Sequence, residues 1–207
     1  MALKVCEIFY SIQGESTWAG QPCVFIRLTG CNLRCAYCDT SYAYEQGAFM
    51  EIAEILERVR EARCSLVEVT GGEPLIQPET PLLISALLDD GRRVLLETNG
   101  SVDIGAVDPR CVRIVDIKCP SSGMSGKNDL RNMEKLAAHD ELKFVIANRA
   151  DYQFARDFLT NFPALSCTMN FSPAFGVLDP RTLAEWILQD CLPVRLNLQL
   201  HKIVKMP

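Results

Sequence analysis

The sequence predicts a single α/β domain in which parallel strands alternate with helices. Its 207 residues suit one domain with a sizeable core. A hydrophobic content of 48% and a charged content of 23% are typical of a globular protein, which argues against disorder. Strand-like and helix-like runs alternate along the whole chain, and this order is typical of parallel βαβ units with right-handed crossovers that curl the sheet.

The predicted elements follow from short apolar runs, helical periodicity and turn residues. In the Met50–Arg63 segment, for example, apolar residues recur at helical spacing with charges between them. Predicted strands are Val5–Tyr10, Val24–Thr29, Leu66–Thr70, Arg93–Glu97, Val112–Ile117, Leu142–Ala147, Ser166–Phe171 and Val194–Leu200. Predicted helices are Met50–Arg63, Pro81–Leu88, Asp129–Ala138, Ala150–Leu159 and Pro180–Leu188, and Ser121–Lys127 is predicted to be a loop.

Composition excludes several function classes. A net charge of −5 and a pI near 5.1 argue against a general nucleic-acid-binding protein. The first residues have no basic region before a long apolar run, and no stretch approaches the length of a membrane span. Ten cysteines in such a chain indicate free thiols in a reducing compartment, so a cytoplasmic location is expected.

Three cysteines form the most informative motif. Cys31, Cys35 and Cys38 are spaced C-x3-C-x2-C and are followed by Asp39 and Thr40. Three thiolates are one fewer than a closed tetrahedral zinc site requires, and they suit an iron–sulfur cluster with one iron open to a small molecule. Half of a zinc knuckle and a redox pair remain as alternatives. The other cysteines show no metal-ligand spacing, and the two histidines, His139 and His201, form no H-x3-H pattern.

Further polar and glycine-rich motifs follow predicted strands. Because functional loops in such folds gather at the C-terminal ends of the strands, these motifs are expected to lie on one rim with the cysteines. Each alone also has a simpler explanation: GGEP could be only a turn before a helix, and Asn-Gly is a common turn dipeptide. The motifs are Gly71-Gly72-Glu73-Pro74, Glu97-Thr98-Asn99-Gly100, Lys118-Cys119-Pro120-Ser121-Ser122-Gly123 and Asn170-Phe171-Ser172-Pro173.

With C-x3-C-x2-C after one strand and GGEP after the next, the chain resembles the radical S-adenosylmethionine enzymes. The resemblance implies that the three cysteines hold a [4Fe–4S] cluster whose fourth iron chelates the methionine part of S-adenosylmethionine. Tyr37 is similar to the residue beside the adenine. The GGEP segment is similar to the strand end whose backbone reaches the methionine amino group, a close approach that glycine permits.

A narrower resemblance rests on Ser11-Ile12-Gln13-Gly14-Glu15-Ser16, Arg27, Cys38-Asp39-Thr40, the Asp116–Gly123 loop and the Leu198–Lys202 tail. These segments resemble the 7-carboxy-7-deazaguanine synthase family. The implied fold is a partial, modified TIM-like (β/α)6 barrel of the radical S-adenosylmethionine type. Residues 1–207 would form one such core domain, with a short N-terminal substrate-binding segment over about residues 1–20.

The implied reaction converts 6-carboxy-5,6,7,8-tetrahydropterin to 7-carboxy-7-deazaguanine, a precursor of queuosine. A 5′-deoxyadenosyl radical abstracts hydrogen from C6, the ring contracts with loss of ammonia, and the cofactor is regenerated. The family further implies Mg2+, an external one-electron reductant of the flavodoxin or ferredoxin type, and a homodimer. No nucleic-acid or membrane partner is expected.

The resemblance also implies roles for particular residues. The three cysteines and Arg27 would be catalytic, and Thr40 would bind Mg2+ with one hard oxygen. Cofactor contacts are expected at Tyr37, Cys38, Asp39, Gly72, Glu97, Asn99, Lys118, Cys119, Pro120, Ser121, Ser172 and Pro173. Substrate contacts are expected at Ile12, Gln13, Gly14, Glu15, Arg27, Thr70 and Pro207.

Some of these residues have ordinary structural explanations. Arg27 could be a strand arginine facing solvent, Glu97 a charge at a strand end, and Asn99 a turn residue. Two other functions also compete: an activase that installs a glycyl radical on a partner protein, and a zinc or iron–sulfur binding module. Neither explains the whole pattern, because the activase does not need the SIQGE segment and a binding module does not need the other rim loops.

Overall fold

A computed structural model describes Met1–Pro207 as one nine-stranded sheet flanked by helices. The strands are β1 (Ala2–Ile12), β2 (Pro22–Leu28), β3 (Ala48–Glu51), β4 (Leu66–Gly71), β5 (Arg93–Thr98), β6 (Val112–Ile117), β7 (Glu141–Ile146), β8 (Thr168–Pro173) and β9 (Arg195–Leu196). The helices are α1 (Ile52–Glu61), α2 (Thr80–Asp89), α3 (Arg149–Asn161), α4 (Pro180–Gln189) and α5 (Leu200–Val204).

The sheet order is β3-β1-β2-β4-β5-β6-β7-β8-β9. Strands β2 and β4 to β9 run parallel, whereas β1 pairs antiparallel with β2 and β3. The predicted α/β class with a parallel sheet is therefore confirmed. Pairing runs from β3 to β9 without closing into a ring, as expected for a partial barrel.

The sheet packs against its helices through two apolar clusters. One cluster joins β1, β2, β4 and β5 to α1 and α2, and the other joins β6, β7 and β8 to α3 and α4. Cys64, Cys111 and Cys167 are buried in these clusters and pack as small apolar side chains. None of the ten cysteines forms a disulfide in the structure. No helix is both long enough and apolar enough to cross a membrane.

Three predicted elements differ most from the structure. The predicted helix at Asp129–Ala138 is a 3-10 helix over Leu130–Lys135. The side chain of Asn132 explains this difference: it is buried, accepts a hydrogen bond from the amide of Ile104 and donates to the carbonyl oxygen of Val102. These bonds to the segment after β5 compete with the regular backbone bonds of an α-helix.

The other two differences concern element boundaries. The predicted helix Met50–Arg63 begins only at Ile52, because the preceding residues form β3 against the start of β1. The predicted final strand Val194–Leu200 pairs only at Arg195–Leu196. Beyond that pair, the side chain of Asn197 turns inward to donate to Ser172 Oγ at 2.9 Å, and α5 begins at Leu200.

Candidate active site

A cavity of about 480 Å³ opens at the C-terminal ends of the parallel strands. The cysteine loop, the GGEP and ETNG motifs and Lys118 meet here, whereas Asn170-Phe171-Ser172-Pro173 does not line the cavity. The predicted site residues that line it are Ile12, Gln13, Gly14, Glu15, Arg27, Cys31, Cys35, Tyr37, Cys38, Asp39, Thr40, Thr70, Gly72, Glu97, Asn99, Lys118 and Pro207.

Five predicted cofactor-contact residues do not line the cavity: Cys119, Pro120, Ser121, Ser172 and Pro173. Cys119 is fully buried in the apolar cluster beside α3. The amide of Ser121 donates to Asp151 Oδ1 at 2.9 Å, and Ser172 Oγ accepts from Asn197. Of these five residues, Cys119, Ser172 and Pro173 are buried, Ser121 is half-buried and Pro120 is exposed.

The three cysteines of the motif lie half-buried on the loop that follows β2. The amide of Leu33 donates to Cys31 Sγ at 3.4 Å, and Asn99 Nδ2 lies 3.8 Å from the same sulfur. Burial raises the pKa of the Cys31 and Cys35 thiols. Since metal ligation requires thiolates, binding of a cluster would release protons from this loop.

The donor set fits a [4Fe–4S] cluster. All three thiols lie on one loop and face one cavity, and Cys31 has two N–H neighbours of the kind that tune cluster sulfurs. No three His, Cys, Asp or Glu side chains converge on a point that would hold a single metal ion. A [4Fe–4S] cluster does not require such a point, because each of its thiolates binds a different iron.

The GGEP motif holds this loop in place. A Cβ at Gly72 would lie 2.2 Å from the carbonyl oxygen of Gly30 and 2.7 Å from Cys31 Cβ, so only glycine fits there. The carboxylate of Glu73 is completely buried and accepts from the amide of Asn99 at 2.6 Å and from Thr98 Oγ1 at 2.8 Å. The motif therefore joins the ends of β4 and β5, which is more than a simple turn requires.

A buried ionic network crosses the cavity below the cysteine loop. Lys143 Nζ lies 2.9 Å from Glu15 Oε2, contacts Glu97 and is 3.9 Å from Asp116 Oδ2. Asp116 in turn pairs with Lys118 at 2.8 Å. Burial disfavours the charge of Lys143, but the neighbouring carboxylates outweigh burial and hold its pKa well above the ordinary value.

Glu68 is a second titratable group within the cavity. Its carboxyl group accepts a hydrogen bond from Gln13 Nε2 and is almost completely buried. Burial, and then the negative charge of Glu97, raise the pKa of Glu68 to about 8. Our sequence-based interpretation missed both Glu68 and Lys143, because a charged residue inside a strand resembles an ordinary solvent-facing position. The available signal was the apolar run around each residue, which is typical of a strand that is buried on both faces.

Arg27 faces the cavity and not the solvent. Its Nε donates to Glu7 Oε1 at 2.8 Å, its guanidinium lies 5.7 Å from the ring of Phe9, and only 15% of its side chain is exposed. The bond to Glu7 uses one edge of the guanidinium and leaves both terminal nitrogens without a protein partner. Arg27 is thus placed to bind an anionic group with those two nitrogens.

Thr40 lies at the start of a short 3-10 helix but does not cap it with its side chain. Its hydroxyl oxygen lies 3.8 Å from Cys38 Sγ. Its oxygen is therefore free to bind a ligand from the cavity.

The C-terminal segment forms one side of the cavity. Gln199 Nε2 donates to Glu15 Oε1 at 2.8 Å, and Lys202 Nζ lies 2.5 Å from Asp39 Oδ2. Ser11 Oγ donates to the oxygen of Pro207 at 2.8 Å. The N-terminal segment that is predicted to bind substrate therefore contacts Pro207, which is also a predicted substrate contact.

Comparison with known proteins agrees with this geometry. Residues 25–114 match the radical SAM superfamily. The chain is 50% identical to the 7-carboxy-7-deazaguanine synthase of Chlorobaculum tepidum, over 99% of this chain and 95% of that protein. It is 43% identical to the synthase of the same name from Koribacter versatilis, over 99% of this chain and 98% of that protein.

The chain belongs to the 7-carboxy-7-deazaguanine synthase family. A solved structure of QueE from Escherichia coli superposes with a TM-score of 0.82 at 23% identity, covering 97% of this chain and 95% of that one, and so shares the fold. Membership in the radical SAM superfamily implies a [4Fe–4S] cluster, S-adenosylmethionine, a small-molecule substrate and an external reductant.

Proposed function

We propose that this chain converts 6-carboxy-5,6,7,8-tetrahydropterin to 7-carboxy-7-deazaguanine by radical ring contraction with loss of ammonia, as a lyase of 7-deazapurine biosynthesis. The observation that carries the proposal is the identity to synthases of that name over nearly the whole chain. The cavity supports it, because the SIQG segment, Arg27 and the cysteine loop meet there although they are separated in sequence.

When bound, the cluster and S-adenosylmethionine supply a radical that removes a hydrogen atom from the substrate. The protein's residues bind, orient and enclose the reactants. The terminal nitrogens of Arg27 suit the substrate carboxylate, and the apolar rings of Phe9 and Phe25 line the same cavity. Lys143 and its carboxylate partners form a rigid, desolvated surface beneath them.

Mg2+ is part of the proposal, with Thr40 as its protein ligand. A hydroxyl oxygen that is not used for capping is a suitable hard ligand, and substrate oxygens and water would supply the remaining ligands of Mg2+. We further propose a homodimer, a flavodoxin or ferredoxin as the reductant, and a cytoplasmic location. The last is in keeping with ten free thiols.

The central experiment uses the reconstituted holoenzyme under anaerobic conditions with carboxytetrahydropterin, S-adenosylmethionine, Mg2+ and dithionite. Mass spectrometry should detect 7-carboxy-7-deazaguanine and ammonia. S-adenosylmethionine should not be consumed in proportion to product, because the cofactor is regenerated. An enzyme that cleaves S-adenosylmethionine but leaves the pterin unchanged would refute the proposed function.

The magnesium ligand is tested by Thr40→Val, which keeps the side-chain shape and removes the oxygen. We expect a much weaker dependence of turnover on Mg2+ with unchanged iron content. Thr160→Val, at an exposed position on α3, is the matched control and should titrate with Mg2+ as the wild type does. An unaltered Mg2+ titration in Thr40→Val would exclude this role.

A further inference from the structure

The register of three neighbouring strands places two rows of side chains in the cavity. Phe9 of β1, Phe25 of β2 and Glu68 of β4 are aligned in one row, and all three line the cavity. Arg27 and Thr70 are aligned in a second row, two residues closer to the cysteine loop. Two residues along a strand rise about 6.6 Å, which is comparable to the length of a fused bicyclic ring.

Glu68 is the titratable residue of the deeper row, and one of its two carboxyl oxygens has no hydrogen-bond donor in the protein. It is 3% exposed, and one carboxyl oxygen accepts from Gln13 Nε2, whereas Oε1 has no partner in the protein. Gln13 is itself oriented, because its Oε1 accepts from the amide of Glu15 at 3.1 Å. Oε1 of Glu68 opens to the cavity, where an N–H group of a ligand can pair with it.

The groups around Glu68 cannot supply that donor. Glu97 on β5 and Glu15 after β1 are carboxylates, and Cys23 on β2 is a neutral thiol. The nearest cation is Lys143 on β7, whose ammonium group is already bound to Glu15 and Glu97. The site therefore has a surplus of acceptors at its deep end and free guanidinium donors at Arg27, nearer the cysteine loop.

We propose that Glu68 binds the adjacent 2-amino and N3–H groups of the pterin and makes the enzyme specific for that edge. This inference rests on the proposed function. It orients the substrate with its carboxylate towards Arg27, in the row nearer the cysteine loop, and its pyrimidine edge in the deeper row. Gln13 is a positioning residue that holds one oxygen of Glu68 and leaves the other for the ligand.

The aromatic residues of the deeper row support this orientation. Phe9 and Phe25 stack with ring centroids 5.0 Å apart and an interplanar angle of 11°, beside Glu68 in the same row. They provide an apolar surface for a planar ring whose N–H edge reaches the carboxyl group. The raised pKa of Glu68 also supports this orientation, because the free protein holds a proton on this carboxyl group near neutral pH. Two N–H donors from the ligand would favour the ionised form, so binding of the pterin should release that proton.

The test compares the pterin with its 2-oxo analogue, 6-carboxytetrahydrolumazine, by anaerobic calorimetry on the holoenzyme with S-adenosylmethionine. At about pH 9, where Glu68 is ionised, its carboxylate pairs with a 2-amino group and repels a 2-oxo group, so wild type should prefer the pterin on the order of 100-fold. In Glu68→Gln, the new carbonyl oxygen accepts from Gln13 and the new amide N–H faces the 2-oxo group. The preference should then fall below about tenfold.

Glu141→Gln is the matched control, because Glu141 is also buried but accepts from Thr17 and Asn170 outside the cavity. It should keep the wild-type preference. If Glu68→Gln does not fold, calorimetry of wild type in buffers of different ionisation enthalpy still decides the question. Close to one proton should be released when the pterin binds at neutral pH, and none with the 2-oxo analogue.

An unchanged preference in folded Glu68→Gln, or pterin binding by wild type without proton release, would overturn the inference. Either result could occur while wild type still makes 7-carboxy-7-deazaguanine, in which case the proposed function remains. Absence of product with wild type would instead refute the function itself. The two failures are therefore distinguishable.

Discussion

Lys143 Nζ lies 2.9 Å from Glu15 Oε2, although the two residues are 128 positions apart in the chain. Glu15 belongs to the segment after β1, and Lys143 lies on β7, so their contact spans an opening that strand pairing leaves unclosed. Lys143 also binds Glu97 on β5. One ammonium group thereby holds three parts of the cavity together.

Lys143→Met should therefore destabilise the protein strongly. It preserves much of the side-chain volume but leaves Glu15 and Glu97 buried without a cation, which typically costs about 3–5 kcal/mol. Urea unfolding followed by circular dichroism measures this loss. Arg58→Met is the control, because its ion pair with Glu54 is exposed and should contribute less than about 1 kcal/mol. Equal effects in the two variants would contradict the role of the network.

Replacing any one of Cys31, Cys35 or Cys38 with Ala should abolish the brown chromophore of the reconstituted protein and the formation of product. A site-differentiated cluster needs all three thiolates, since the fourth iron binds the cofactor. Cys191→Ser, at an exposed position outside the cavity, should keep about four irons per chain. The measurement is iron and sulfide content alongside the visible spectrum. A Cys35→Ala variant with wild-type iron content would disprove the cluster assignment.

Gly72→Ala should displace the cysteine loop. Its Cβ would meet the carbonyl oxygen of Gly30 at 2.2 Å, a contact that only backbone movement relieves. We expect lower cluster occupancy after reconstitution and a lower melting temperature. Gly126→Ala is the matched control, because a Cβ there meets nothing within 4 Å and the backbone angle is not in the left-handed region. Full cluster occupancy in Gly72→Ala would show that the loop does not depend on this close approach.

Arg27→Ala should weaken pterin binding by about tenfold or more, with little change for S-adenosylmethionine. Arg27→Lys should also bind poorly, because a lysine keeps the charge but loses the planar pair of donors. Calorimetry with each ligand separates the two effects. Equal losses for both ligands would indicate a folding defect, and unchanged pterin affinity would remove Arg27 from the substrate site.

The raised pKa of Glu68 predicts how stability depends on pH. Its pKa is about 8 in the folded protein against an ordinary value of 4.5, so the folded state retains a proton that the unfolded state loses. The contribution of this group to stability is full below about pH 4.5 and is lost as pH rises through about 8. The melting-temperature advantage of Glu68→Gln over wild type should therefore grow between about pH 6 and pH 9. A constant difference over that interval would contradict the burial of an uncompensated carboxyl group.

Most strands were predictable because their residues form apolar runs that end in glycine, proline or asparagine. The 3-10 helix at Leu130–Lys135 was not, because the buried amide of Asn132 binds backbone groups that are distant in sequence. The short β9 was mispredicted for a similar reason, since Asn197 turns inward to Ser172. In both cases a side-chain hydrogen bond within the fold overrides the local pattern.

The site divides in the same way. The cysteine spacing, GGEP and the SIQG segment are local patterns, so the sequence alone predicted the cluster ligands, the family resemblance and the rim on which the loops would gather. The apolar neighbours of Glu68 and Lys143 indicate only that these strands are buried, because the roles of the two residues depend on strand register and on burial of charge. Only the tertiary structure decided that Lys143 neutralises Glu15 and Glu97 while Glu68 keeps a free oxygen: the chain must fold before distant charges share one desolvated cavity.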